Sequence, residues 1–215
     1  MPIRSIGTGR TVDSAPVKLP MRWHWIAILL VGYAAWSHWT SRPVSHGPGV
    51  LAPTDPVQTP VLAAPSLHRR GYRITPLQSF SLEARVLSTE HYWFDRGAEL
   101  SPVDLALGWG PMSDQAILDH IDISQGHRFY FWHVAKFPIP RRDIETHSAN
   151  MHMIPATSDI ERRLESVRSG EIVRLRGYLV EVQGQDGFTW RSSLTREDTG
   201  AGACELVWVE QLEVR

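Results

Sequence analysis

The sequence predicts an α+β fold: a mainly antiparallel, curved and partly barrel-like sheet with two or three short helices, preceded by one transmembrane helix and a proline-rich linker. Three observations lead there. Residues 23 to 39 carry no formal charge around an apolar centre. Alternating apolar and polar residues mark strands near residue 80 and again over the last 45 positions. One amphipathic helix pattern precedes that final run of strands, an order that favours α+β over a parallel α/β sheet.

Residues 1 to 22 are polar and unpatterned, as expected of a cytoplasmic tail. They hold Arg4, Arg10, Lys18 and Arg22 against Asp13 alone. Residues 23 to 39 have an uninterrupted apolar run from Trp25 to Trp36 and Trp at both ends. A bilayer crossing takes about 20 apolar residues, with Trp favoured at headgroup level. Basic residues beside a span stay in the cytoplasm. This orientation predicts anchoring in the inner membrane through residues 23–39, with the C-terminal part outside, which in a bacterium is the periplasm. A cleaved signal peptide, with Gly32-Tyr33-Ala34 as the processing site, is the competing reading, and it also exports the rest of the chain. A buried core helix fits the flanking Trp and the adjoining linker poorly.

Residues 40 to 76 hold seven prolines, which predicts an extended, semi-rigid spacer of about 3 Å per residue. Its alternative is a docking site for a proline-reading partner. The folded domain, 77–215, is then about 140 residues, a common single-domain size. From residue 77 onward 14 Lys plus Arg stand against 21 Asp plus Glu. Nucleic-acid affinity comes mainly from neutralising phosphates, so this balance argues against a nucleic-acid partner and against broad adhesion to anionic lipid. With Cys204 as the one cysteine, no disulfide framework exists within the chain.

Within the domain, Phe80, Leu82, Ala84 and Val86 alternate as in a half-buried strand. Ser101-Pro102 reads as the start of a helix through Leu107, and Ser113 as the cap of a second, Asp114 to about Ile121. The aromatic run 127 to 137 suits a strand. Ser158 caps the clearest helix, with Ile160, Leu164 and Val167 on one face and Gly170 closing it. Strands follow at 171 to 183, at 188 to 194 after the turn Gly184-Gln185-Asp186-Gly187, and at 203 to 214. The piece from Gly170 to Val182 resembles the opening strand of OB-fold or SH3-like barrels, which implies a curved meander and no particular ligand.

The densest polar cluster, Arg141 to Pro155, contains His147, Asn150 and His152 and reads as a connecting segment. Two His five apart share neither a helix face nor a strand face, so the usual i, i+4 zinc pair is absent and no metal is expected. A nucleophilic site would combine Cys204 with His147 or His152 and Asn150, as in Cys–His–Asn enzymes. The loop from Thr195 to Cys204 is a second candidate, in which Arg196, Asp198, Gly200 and Gly202 would line a ligand site beside Trp190. Its glycines would let backbone N–H groups approach an anion, although its acids would repel phosphate. Trp93, Trp109, Trp132, Trp190 and Trp208 fill a core or, in a row on the sheet, stack on peptide or glycan.

The segments Gly108-Trp-Gly-Pro-Met-Ser-Asp, His147-Ser-Ala-Asn-Met-His and Ser192 to Glu205 resemble a family of uncharacterised bacterial single-pass membrane-anchored proteins, over residues 72 to 215. The resemblance implies a bacterial source and an envelope location, with no activity, cofactor or catalytic residue attached. The expected function is a non-enzymatic, membrane-tethered periplasmic domain that binds a protein or envelope component. The alternative is an envelope hydrolase using a His147/His152 site, with Cys204 or a metal as its optional third member. No motif calls for a cofactor.

Overall fold

The structure, a computed structural model, describes residues 22–40, 42–94, 96–195 and 204–215. It divides into two units, 1–41 and 42–215. The first contributes one helix, α1 (Arg22–Thr40), over the charge-free stretch. Among the described residues no helix is long and apolar enough to cross a membrane. The apolar centre of α1, from Trp25 to Trp36, is flanked by the polar His24, Ser37 and His38.

The second unit is built on a closed ring of strands. β3 (Tyr72–His91) pairs with β4 (Val103–Gly108), β4 with β7 (Ser148–Pro155), β7 with β10 (Glu205–Val214), β10 with β8 (Ile172–Gln183), and β8 again with β3. All of these pairings are antiparallel except β7 with β10. A parallel pair needs a crossover. Helix α4 (Ser158–Glu165), between β7 and β8, lies within it. Five strands in this order, with the helix between the third and fourth, have OB-fold connectivity. The expected curved α+β sheet is present; its connectivity is not a simple meander, because β10 returns to lie beside β7.

Ring closure depends on the length and bending of β3. Its first part, Arg73 to Arg85, pairs with β8; its second, Arg85 to His91, pairs with β4. Register shifts at Pro76/Gln78 and Val86/Ser88 mark bulges that increase the curl. Inward residues fill the barrel: Leu82, Val86, Leu105, Leu107, Met151, Met153, Leu175, Leu179, Val207 and Val209. Ile160, Leu164 and Val167 from α4 and the segment after it join the same core. A smaller cluster around Ile74, Leu100, Ile154, Val182 and Trp208 extends it.

Several expectations from the sequence are corrected. The helix expected from Ser101 to Leu107 is strand β4. Val103, Leu105 and Leu107 point into the barrel and Asp104 and Ala106 point out, a period of two. Ser101 does not cap; its Oγ donates to Val103 O at 3.2 Å and to Asp104 Oδ1 at 3.4 Å. The strand expected in the aromatic run 127 to 137 is present as β6 (Phe129–His133), which forms a hairpin with β5 (Asp122–Gly126). The connecting segment expected over 141 to 155 is helix α3 (Arg141–Thr146) followed by β7, a central barrel strand. The second expected helix exists as the short α2 (Gln115–Leu118), capped by Asp114 rather than Ser113.

Of the expected spacer, residues 40 to 76, the part from residue 42 onward is laid along the barrel. β4 pairs only with the second part of β3, so the first part keeps an open edge. β1 (Val57–Pro60) and β2 (Leu67–Arg69) cover that edge. Upstream, Val44 N donates to Ser169 O at 2.8 Å, and Leu51 N and Ala52 N both donate to Ser113 Oγ at 3.1 Å. Ala52 is fully buried. The hydroxyl expected as a helix cap therefore anchors the strap.

Candidate functional site

The outer face of β4 and β7 carries the densest buried polar chemistry. Asp104 is fully buried, and Asn150 and His152 are nearly so. Both strands are buried on both faces, because the barrel core lies behind them and the β5–β6 hairpin lies in front. Cross-strand register sets Asp104 opposite His152 and Ala106 opposite Asn150. His152 Nδ1 lies 2.8 Å from Asp104 Oδ2, with a geometry that does not meet that of a hydrogen bond. The His152 ring packs 4.8 Å from the Trp190 ring.

Arg128 is the hub. Its Nη1 donates to Asp104 Oδ1 at 2.9 Å and to Ser101 O at 2.8 Å. Its guanidinium lies 3.6 Å over the Tyr92 ring, and its backbone N–H donates to Tyr92 Oη at 2.9 Å. Asn150 Nδ2 donates to Arg128 O at 3.1 Å, and Cys204 Sγ lies 3.9 Å from the same oxygen. Gln125 Nε2 donates to Asn150 Oδ1 at 2.7 Å. Arg128 sits at the hairpin tip, where His127 and Arg128 form a two-residue turn with φ of 54° and 70°. Such turns normally take Asn-Gly. Two side-chain-bearing residues there store strain that the surrounding bonds must hold. Burial pushes the Tyr92 phenol up to about 12, against the lowering effect of the Arg128 N–H. Burial likewise pushes Tyr130 up to about 12, its hydroxyl donating to Ser148 Oγ at 3.1 Å.

Of the sequence candidates, Asn150, His152, Trp190 and Cys204 come together on this face. His147 does not join them. It is the C-cap of α3, its Nδ1 2.9 Å from Asp143 O and its ring packed against Gly110. Arg196, Asp198, Gly200 and Gly202 lie outside the described residues. Among the described residues no three of His, Cys, Asp and Glu are grouped to hold a metal ion. Trp109 and Trp208 are core, Trp132 and Trp190 are half-buried, and Trp93 is 71 % exposed, so the five make no continuous row.

Sequence reasoning missed Asp104, Arg128 and Tyr92. The alternation Val-Asp-Leu-Ala-Leu placed Asp104 alone on the outer face of a strand, but the Ser-Pro before it reads as a helix start. Arg128 had no local signal, since its role comes from a turn without glycine.

A second feature lies elsewhere on the barrel wall. An open groove of about 340 Å³ runs across β1, β3, β8 and β10. It is lined by Thr59, Ser79 and Ser81, by Arg176 and Tyr178, and by Glu210 and Gln211 at a β10 bulge. Its floor includes Gly177, whose backbone packs directly on Trp208: a Cβ there would lie 1.8 Å from Trp208 O. Among the described residues neither Arg176 nor Glu210 has an ion-pair partner.

Barrels of this connectivity bind ligands on the outer face of their second and third strands. Here those strands are β4 and β7, and the chain's own hairpin covers them. Comparison with protein-family models, with curated proteins and with solved structures found no match.

Proposed function

We propose that this chain is a membrane-tethered, extracytoplasmic binding domain that recognises a polar protein segment or envelope component through the groove across β1, β3, β8 and β10. The observation that carries the reading is the groove's chemistry. An unpaired cation and an unpaired anion, a phenol, an amide and three hydroxyls converge on one open depression. A few convergent polar groups in a concavity are what orients a polar ligand. Arg176 offers a planar fork to a carboxylate or amide oxygen, and Glu210 accepts from N–H or O–H donors. Tyr178 supplies a flat apolar surface.

The tether is α1. Its 12-residue apolar centre, about 18 Å of helix, is shorter than the hydrocarbon layer. Local thinning of the bilayer and interfacial Trp accommodate a short span. The basic N-terminal flank then sets the barrel on the outer side.

The test is photocrosslinking in native membranes with a benzophenone amino acid at Tyr178. A discrete adduct that Arg176→Ala and Glu210→Ala abolish supports the reading. The same adduct pattern in both variants, or none at all, rejects it.

The second reading, an envelope hydrolase, is favoured by one observation: Cys204, Asn150, His152 and Asp104 share one face. It ranks second because His152 is 4 % exposed and lies under Trp190, leaving substrate no approach to the imidazole in this arrangement. Hydrolytic activity lost in both Cys204→Ser and His152→Gln, with folding intact, would reverse the order.

A further inference from the structure

The domain is acidic overall, yet one segment has the opposite character. From residue 123 to 142 the chain has no Asp or Glu and holds Arg128, Lys136, Arg141 and Arg142. The same segment presents Phe129, Phe131 and Phe137 to solvent, at 40 %, 55 % and 48 % exposure. On β6 the residues alternate. Tyr130 and Trp132 face the protein, Trp132 joining the Ile121–Ile144 cluster, while Phe129 and Phe131 face out with ring centroids 6.4 Å apart. Arg128 is committed to Asp104 and Arg141 pairs with Glu145 at 2.8 Å, while the side chains of Lys136, Arg141 and Arg142 are all exposed. Beside the hairpin, Tyr92 holds the backbone of Arg128 and is followed by the exposed Trp93 and Phe94.

We infer that this aromatic and basic surface, the β5–β6 hairpin with residues 134–142 and Trp93-Phe94, seats the domain on the surface of an anionic lipid bilayer. The inference rests on α1 being the membrane tether. Exposed rings on a rigid scaffold are costly in water and favoured in the headgroup region, where Trp and Phe insert while Lys and Arg meet lipid phosphates. Chain length selects the bilayer over other anionic partners. α1 ends at Thr40 and Val44 is already hydrogen-bonded to Ser169, so the connecting chain reaches at most about 15 Å. A domain on so short a leash stays within reach of the bilayer. The locked, strained tip keeps the rings displayed rather than folded back.

The test uses the full chain reconstituted in vesicles, with Cys204→Ser as background and an environment-sensitive fluorophore on Phe131→Cys, or on Phe129→Cys if the first fails to fold. Glu210→Cys in the groove is the reference position. In vesicles of phosphatidylcholine with phosphatidylglycerol, the label at 131 is expected to shift to the blue. It should be quenched by doxyl lipid and lose iodide quenching several-fold, while the label at 210 stays water-like. Lys136→Glu with Arg142→Glu, or pure phosphatidylcholine, should reverse the shift. A water-like label at 131 while α1 resists carbonate extraction overturns the seat alone. Extraction of the chain by carbonate overturns the tether reading first. Shielding at 131 that appears only when a co-purified protein is added overturns the lipid assignment in favour of a protein partner.

Discussion

Arg128 and Asp104 form an ion pair at 2.9 Å in which the carboxylate is fully buried, and that pair fastens a strained hairpin tip to the outer wall of the barrel. The hairpin fills the face on which barrels of this connectivity bind their ligands.

Removing one partner of a buried pair leaves the other charge uncompensated, a cost of about 3–5 kcal/mol. Arg128→Ala is expected to lower unfolding stability by that amount and to raise amide exchange over residues 122–133 before the rest of the barrel opens. The double variant Arg128→Met/Asp104→Leu should recover part of the loss. Denaturant unfolding with hydrogen exchange reads both; an Arg128→Ala protein of unchanged stability contradicts the hub.

Two of the contacts that hold the strap over residues 44–52 can be tested singly. Gly170 has φ of +90°, and an added Cβ would lie 1.8 Å from Val44 O. Ser113 Oγ accepts two strap N–H groups. Gly170→Ala and Ser113→Ala should each expose residues 42–56 to limited proteolysis, the latter costing about 1–3 kcal/mol for unsatisfied buried groups. Cleavage first inside β8 or β10 instead would show that the strap is not the weak element.

Alkaline stability follows from Tyr92 and Tyr130. Both phenols titrate near 12 in the folded chain against an ordinary 10, burial being the main cause. The folded state thus holds protons that the unfolded state releases. Stability is full below pH 10 and falls as pH rises from about 10 to 12. Tyrosinate absorbance should show a late class that ionises together with the loss of far-ultraviolet dichroism. Tyr92→Phe should remove part of that pH dependence and weaken the hairpin at neutral pH.

Groove residues should separate from stability. Arg176 and Glu210 are exposed and outside the hydrogen-bonded core, so Arg176→Ala and Glu210→Ala should change unfolding by no more than about 0.5 kcal/mol while removing partner adducts. Gly177→Ala is the contrast: its Cβ would collide with the Trp208 carbonyl, so the β8–β10 pairing should fail and the protein should not fold.

Strands with clean alternation and turns with glycine were legible in the sequence. β8, the Gly184–Gly187 turn, β10 and α4 lie where the periodicity put them. β4 was not, because a Ser-Pro pair mimics a helix start and both faces of the strand are covered. Ring closure was not, because it depends on a 20-residue strand pairing with different partners along its length. The site was half legible. Asn150, His152, Trp190 and Cys204 were candidates by composition, but the residues that join them, Asp104 and Arg128, signify only once the hairpin docks. The proline density of residues 40–76 predicts a semi-rigid spacer, yet proline tolerates edge strands, and Pro60 lies in the edge strand β1.

The proposed arrangement is a barrel displayed outside the cytosol on a membrane-held α1. Protease added to intact spheroplasts, with tags at Met1 and Arg215, measures it most directly. The chain should stay in the carbonate pellet, the C-terminal tag should be lost before lysis and the N-terminal tag should survive until lysis. A chain released by carbonate, or a C-terminal tag protected until the cells are broken, contradicts it.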